Sequence, residues 1–303
     1  MKGQIIKSTG SWYVVRDEET HQFYKARLRG KFKLNNIKVT NPLAVGDYVD
    51  YELEDENEEN YIITNILDRH NYVIRKATKL SAQAQIIASN IDQAYLITTL
   101  KSPQTSAGFI DRFLVTTESF RIPVTIFFNK TDLLNDKEID KLADRMALYE
   151  ELGYKCIPIS LENKEDFETI KEDLIGKTTL LSGHSGVGKS TFINKLIPEM
   201  DLATKAISKY NDKGQHTTTF AEMHLLPLSG KIIDTPGIKE IGIVDMDNEE
   251  IGHYFVEIRD RIGQCKFHNC LHVNEPGCAV KEAVELGDIA SSRYNTYLSL
   301  LDI

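Results

Sequence analysis

Gly183-His184-Ser185-Gly186-Val187-Gly188-Lys189-Ser190, followed by Thr191, satisfies the pattern G-x-x-x-x-G-K-[ST]. Thr179-Leu180-Leu181 before it reads as a strand, and Phe192-Ile193-Asn194-Lys195-Leu196 after it as a helix. Glycines let the chain turn tightly enough for its N–H groups to face a phosphate chain. The helix starting at Lys189 adds the positive end of its dipole. In this setting Lys189 reaches the β- and γ-phosphates and the Ser190 hydroxyl binds Mg²⁺. The eight residues and Thr191 are the expected phosphate cradle of a P-loop domain.

Outward from that loop the chain alternates between strands and helices. Strands are expected at 94–98, 124–128, 156–159, 179–181 and 232–233, and helices at 110–119, 137–152, 164–174 and 189–196. Such alternation builds a mostly parallel sheet with helices on both faces. Asp234-Thr235-Pro236-Gly237 follows the strand at 232–233. A carboxylate there holds Mg²⁺ through water, and Gly237 lets its N–H approach the γ-phosphate. Asn129-Lys130-Thr131-Asp132 follows the strand at 124–128. Asp132 can accept from guanine N1–H and N2–H₂, whereas adenine offers an acceptor at N1. Asn129 would brace the loop and the Lys130 stem would lie along the base face. Ser160 is a second base contact through its backbone N–H.

Lys213-Gly214-Gln215-His216-Thr217-Thr218-Thr219 is a polar run suited to switch I, with Thr218 or Thr219 meeting Mg²⁺ and the γ-phosphate. Ile238 stands where Ras-like enzymes place a water-orienting glutamine. Isoleucine cannot do that, so unaided turnover should be slow.

The ends of the chain differ from its middle. Residues 1–46 carry nine Lys/Arg against three acids, and residues 47–60 carry eight acids and no base. Short alternating runs near Trp12-Tyr13-Val14-Val15, 22–28, 48–53 and 61–63 are separated by turns at Gly10, Gly30 and Gly46. They suggest a small β-barrel, OB-like or otherwise, with the basic segment Lys25-Ala26-Arg27-Leu28-Arg29-Gly30-Lys31-Phe32-Lys33 facing RNA. Near the other end, Cys265, Cys270 and Cys278 lie beside His272. Three thiolates and an imidazole are the donor set of a closed tetrahedral Zn²⁺ site, which folds a domain rather than catalysing a reaction. His268 competes for the histidine position, and Cys156 reads as a small core residue. Residues 239–303 hold six bases and twelve acids, so this stretch should touch RNA through a few loops or engage protein instead.

Composition sets outer limits. At 41% apolar and 27% charged, the 303-residue chain is neither disordered nor membrane-spanning, and no signal-peptide core opens it. A net charge of −9 excludes whole-surface adhesion to nucleic acid. A P-loop ATPase or kinase is opposed by Asp132. An RNA-binding factor without useful hydrolysis is opposed by the intact Lys189, Ser190 and Asp234.

The motif order is unusual: Asn129–Asp132, Ser160, the phosphate loop, then Asp234–Gly237. In most GTPases the phosphate loop comes first. Here the chain resembles the circularly permuted GTPases. With its N-terminal barrel and its Cys-x₄-Cys-x-His-x₅-Cys cluster, it is similar throughout its length to the small-ribosomal-subunit-dependent GTPase A (RsgA, formerly YjeQ/YloQ) family. The resemblance implies three parts: an OB-like RNA-binding barrel at 1–70, a permuted GTPase domain at 71–240 and a helical zinc domain at 241–303. It implies His272 as the zinc ligand, and His216 as the group that positions water, acting with Lys189 and Thr218. It also implies GTP hydrolysis to GDP and phosphate as a switch in late assembly of the 30S subunit. The partners would be that subunit and its 16S rRNA, in a cytoplasmic monomer away from any membrane. The permutation places the chain's exit just after Gly237, so the cysteine/histidine domain should hang on switch II and follow its ordering by GTP.

Overall fold

In a computed structural model of the chain, the structure describes residues 1–29, 42–55, 60–75, 85–163, 165–198, 221–234 and 246–301. Five strands come first: β1 (Lys2–Ser8), β2 (Tyr13–Asp17), β3 (Phe23–Leu28), β4 (Tyr48–Asp55) and β5 (Asn60–Ile66). They pair in the cycle β1-β2-β3-β5-β4-β1, all antiparallel except β3–β5, and so close a small barrel. Alternation along β2 sends Tyr13 and Val15 inward, where they meet Ile5, Ala26, Val49, Tyr51 and Ile63. Asp17 ends β2 by accepting from the Glu19 and Thr20 N–H groups, and its other oxygen accepts from Tyr51 Oη.

A hairpin, β6 (Tyr72–Arg75) with β7 (Gln85–Ser89), leads to the central sheet. There β8 (Gln93–Thr99), α1 (Ala107–Ser119), β9 (Val124–Asn129), α2 (Asp136–Glu151), β10 (Lys155–Pro158), α3 (Glu165–Asp173), β11 (Thr178–Ser182) and α4 (Lys189–Leu196) alternate as expected. β12 (Glu222–Leu225) and β13 (Lys231–Asp234) complete the sheet in the order β10-β9-β8-β11-β13-β12. The first five in that order are mutually parallel and β12 runs antiparallel. All seven residues of β8 are buried, as befits a strand covered on both sides. Ala94 and Leu96 face α1 and α2 with Phe113, Leu114 and Tyr149, while Tyr95 and Ile97 face α3 and α4 with Phe167, Phe192 and Ile193.

Helix boundaries follow their caps. Ser106 accepts from Phe109 N and starts α1 three residues before the expected position. Asn135 and Glu138 form a reciprocal capping box at α2. Among the described residues β1, β12 and the β6–β7 hairpin are additions to the expected strands. Each is short or mixes polar with apolar residues, which weakens a period-two signal.

β12 is also where the barrel joins. Lys7 in β1 pairs with Glu222 in β12 in the ladder and through a 2.9 Å ion pair, giving one continuous sheet of eleven strands. A buried knot fixes the other side of the junction. Asp47, fully buried, receives Arg69 Nε and Nη2 at 2.6 Å each, Ser89 Oγ at 2.6 Å and Ala44 N at 2.8 Å. Gly46, at φ +100°, lies so close to the hairpin that an added Cβ would sit 2.1 Å from Ser89 O.

Beyond the sheet, α5 (Asn248–Ile251), α6 (Val256–Arg259), α7 (Ala279–Leu286) and α8 (Ser291–Leu300) gather Ile251, Phe255, Ile258, Val280 and Tyr297 into a separate core. Val115 of α1 belongs to that core, so the C-terminal helices are seated on a helix of the central sheet.

Removing Arg69 would strand the Asp47 carboxylate without its cation, at a cost of about 3–5 kcal/mol. Arg69→Ala is expected to shift chemical unfolding of the barrel, followed by fluorescence of Trp12, the chain's single tryptophan, to clearly lower denaturant. An unchanged midpoint would mean that Ser89 and the Ala44 N–H satisfy Asp47 alone.

Candidate functional site

β11 is buried along its whole length between β8 and β13, and it delivers Gly183 to the C-terminal edge of the sheet. This is where open parallel sheets place ligands. The loop turns through Ser185 and Gly186, both exposed, and is pinned by Val187, fully buried against the α3–α4 side of the core. Lys189 Nζ donates to the carbonyls of Gly183 at 2.7 Å and His184 at 2.9 Å, so its ammonium spans the loop. Burial pulls the Lys189 pKa down and the Asp234 carboxylate opposes that pull. Asp234, at the end of β13, lies in register with Leu181 of β11, so the expected cation and carboxylate sit at the same edge of the sheet. Ser190 and Thr191 lie half-buried in the first turn of α4.

The strand order brings the Asn129 loop beside this one. Asn129 ends β9 and is buried; its Nδ2 donates to Val187 O at 2.7 Å and its Oδ1 accepts from Leu161 N at 3.2 Å. One carboxamide thus ties the phosphate loop to both candidate base loops. The contact also explains Gly188, at φ +112°, because a Cβ there would lie 2.5 Å from Asn129 Nδ2. Lys130 takes a left-handed conformation (φ 66°, ψ 36°) and its Nζ donates to Ser102 O. Asp132 sits in the single turn Thr131–Leu133, where its Oδ1 accepts from Ser160 Oγ at 2.6 Å. The sequence assigns Ser160 a role through its backbone N–H; the structure shows its hydroxyl orienting the Asp132 carboxylate.

Sequence reasoning did not find the Ser102 carbonyl, Leu161 N–H or Phe109, whose ring lies over His184 with centroids 3.8 Å apart. Two of these are backbone groups, which carry no side-chain signal. His216, Thr218, Thr219, Gly237 and Ile238 lie outside the described residues.

Cys265, Cys270, His272 and Cys278 converge with all four ligand atoms within 4.8 Å of one another. Cys265 Sγ is 3.9 Å from Cys278 Sγ, and His272 Nδ1 is 3.5 and 3.4 Å from those two sulfurs. A tetrahedral metal with bonds of about 2.3 Å to sulfur and about 2.0 Å to nitrogen needs edges of about 3.8 and 3.5 Å. The donor set fits. Burial, opposed by the His272 N–H and reinforced by the neighbouring thiols, pushes the Cys270 thiol up to about 12, while burial pulls the His272 imidazole down. Thiols so confined ionise readily only against a cation, and neutral imidazole is the ligating form. The surrounding loop is well supported. Glu275 accepts from the N–H groups of Leu271, Val273 and Asn274, and Tyr294 Oη donates to His272 O. The Lys281 N–H donates to Cys278 Sγ at the start of α7. His268 is exposed and outside the cluster.

A parallel sheet with a phosphate loop on a central strand, the Asn129–Asp132 loop beside it and the motifs in rotated chain order define a circularly permuted P-loop GTPase. The chain belongs to the RsgA GTPase family: residues 66–244 match that family and residues 2–62 match the RsgA N-terminal domain. It is 51% identical over 303 residues to the small ribosomal subunit biogenesis GTPase RsgA of Christiangramia forsetii, covering all of this chain and 96% of that one. It is 50% identical to the protein of the same name from Flavobacterium johnsoniae, covering 93% of that chain. Among solved structures it is similar to YjeQ from Thermotoga maritima, with TM-score 0.77 and 35% identity over 99% of this chain and 96% of that one. It is also similar to YloQ, described as a circularly permuted GTPase, with TM-score 0.72 and 33% identity over 98% and 92%.

The purified protein is expected to carry one metal ion per chain by elemental analysis. Cys278→Ser should lose that ion together with the protease resistance of residues 246–301. A metal-free native protein of full stability would contradict the four-ligand reading.

Proposed function

We propose that this GTPase acts as a nucleotide-controlled switch in maturation of the 30S ribosomal subunit, hydrolysing GTP to GDP and phosphate and triggered by the subunit. The observation that carries the nucleotide reading is the Asn129 carboxamide, which joins the base loop to the phosphate loop. The ribosomal partner rests on the relatives, whose names state small-subunit biogenesis. In this reading Asp132, oriented by Ser160, accepts from the guanine edge, while Asn129 and Lys130 brace the base loop. Residues Gly183, His184, Ser185, Gly186, Val187, Gly188, Lys189, Ser190 and Thr191 cradle the phosphates. Ser190 and Asp234 would hold Mg²⁺, and Gly237 would meet the γ-phosphate. Mg²⁺, when bound, would draw charge from the phosphate oxygens; the chain's own groups hold and orient the nucleotide. Thr218 and His216 complete the catalytic set with Lys189, His216 positioning the attacking water in place of the glutamine that Ile238 replaces.

Zn²⁺ is the metal that the three thiolates and one imidazole suit best. The barrel at 1–70 contacts 16S rRNA, the permuted GTPase spans 71–240 and the zinc domain 241–303. Exposed Phe23, Lys25 and Arg27 on β3 support an RNA-facing barrel, and Lys25 Nζ lies 4.3 Å from the Trp12 ring centre. Among the described residues no helix is long and apolar enough to cross a membrane. A cytoplasmic monomer fits a subunit-bound factor.

Asp132→Asn tests the base assignment. Xanthine replaces the guanine N2 amine with a carbonyl acceptor, which an amide N–H can meet. The variant is expected to lose about 10–100-fold in GTP affinity and to gain affinity for xanthosine triphosphate. Equal loss of both nucleotides would place the base elsewhere. In parallel, His216→Ala is expected to abolish subunit-stimulated turnover at unchanged GTP affinity. Normal turnover would remove His216 from catalysis.

A further inference from the structure

α1 is buried on opposite sides by two different parts of the molecule. Ile110, Phe113 and Leu114 lie in the core of the central sheet, whereas Val115 lies in the C-terminal core. Two residues near its N-terminus make specific contacts in those two directions. Phe109 places its ring over His184 of the phosphate loop, at 3.8 Å between centroids and 31° between planes. Asp111, about 200° further round the helix, is fully buried and faces the C-terminal helices. It receives Arg293 Nη1 at 2.9 Å and Thr296 Oγ1 at 2.8 Å, both from α8, and Tyr149 Oη of α2 at 2.9 Å. Arg293, 1% exposed, turns its Nε and Nη2 onto Glu257 of α6, and its guanidinium lies 4.7 Å from the Phe255 ring centre. Such a fork keeps its geometry only if all its partners stay in place.

The line continues into the nucleotide site. His184, under Phe109, offers the carbonyl that holds Lys189 Nζ at 2.9 Å. A close-packed helix passes displacement on rather than absorbing it. We propose that α1 is a strut through which the C-terminal metal domain holds the phosphate loop, with Phe109 and Asp111 as positioning residues for the bound nucleotide. A force on the C-terminal domain then reaches Lys189 by a route through described, packed residues, separate from the covalent route through switch II. The inference rests on the phosphate loop's being the guanine-nucleotide site.

The test is a double-mutant cycle on release of a fluorescent methylanthraniloyl-GDP from the full-length protein. Thr296→Val removes one bond to Asp111 at nearly constant volume, and Phe109→Leu removes the ring over His184 while keeping an apolar side chain. Arg293→Lys is the stronger perturbation at the Asp111 end. The strut predicts that Thr296→Val speeds GDP release at unchanged metal content, in protein that is still folded at the assay temperature. It also predicts that the double variant departs from the product of the single effects by at least about threefold. Release unchanged in both Thr296→Val and Arg293→Lys, or effects that multiply without coupling, would overturn the strut and leave the nucleotide reading intact. Failure of the unmodified protein to bind the GDP probe would overturn both.

Discussion

The nucleotide site depends on one carboxamide. Asn129 donates to Val187 O and accepts from Leu161 N, so a single side chain joins both candidate base loops to the phosphate loop. The first of these bonds spans 58 positions of chain. It can form only once β9, β8 and β11 are paired, because those strands bring the two loops to the same sheet edge. Gly188 is constrained from the same point, since any side chain would drive into the carboxamide. The permuted motif order therefore changes the order in which the site is assembled along the chain but not its geometry.

Around that clasp the molecule is built as a series of buried polar joints. Asp47 with Arg69 and Ser89 fixes the barrel to the β6–β7 hairpin, and the Lys7–Glu222 pair extends the sheet across the junction. Arg293 with Asp111 and Glu257 fixes the C-terminal helices to α1. Burial works against the Arg293 charge, but the bonds to Glu257 and Asp111 outweigh it and raise its pKa. Interfaces of this kind favour one arrangement over loose association, because a shifted partner leaves a charge buried and unpaired. They suit a protein in which binding at one end has to be felt at another.

The sequence was most readable where local chemistry repeats a rule. The phosphate loop, the Asn129–Asp132 loop and the cysteine/histidine cluster are contiguous or closely spaced, and the five parallel strands are apolar runs between helices. Long-range polar contacts were not readable. Arg293 sits in Ser291–Leu300 among serines, tyrosines and an asparagine, so its helix reads as a solvated one, and its partner Asp111 is 182 positions away. β12 has four residues of mixed character, too few for periodicity to declare a strand. The β6–β7 pairing and the Ser160–Asp132 bond likewise depend on tertiary proximity. His216, Thr218 and Gly237 remain readings of sequence, because they fall outside the described residues.

The most direct test of a subunit-triggered GTP switch is steady-state GTP hydrolysis by the purified protein alone, with 30S subunits and with 50S subunits. Slow unaided turnover with a large acceleration by 30S alone is the predicted result. GTP binding without any acceleration by 30S, or equal acceleration by 50S, would contradict it.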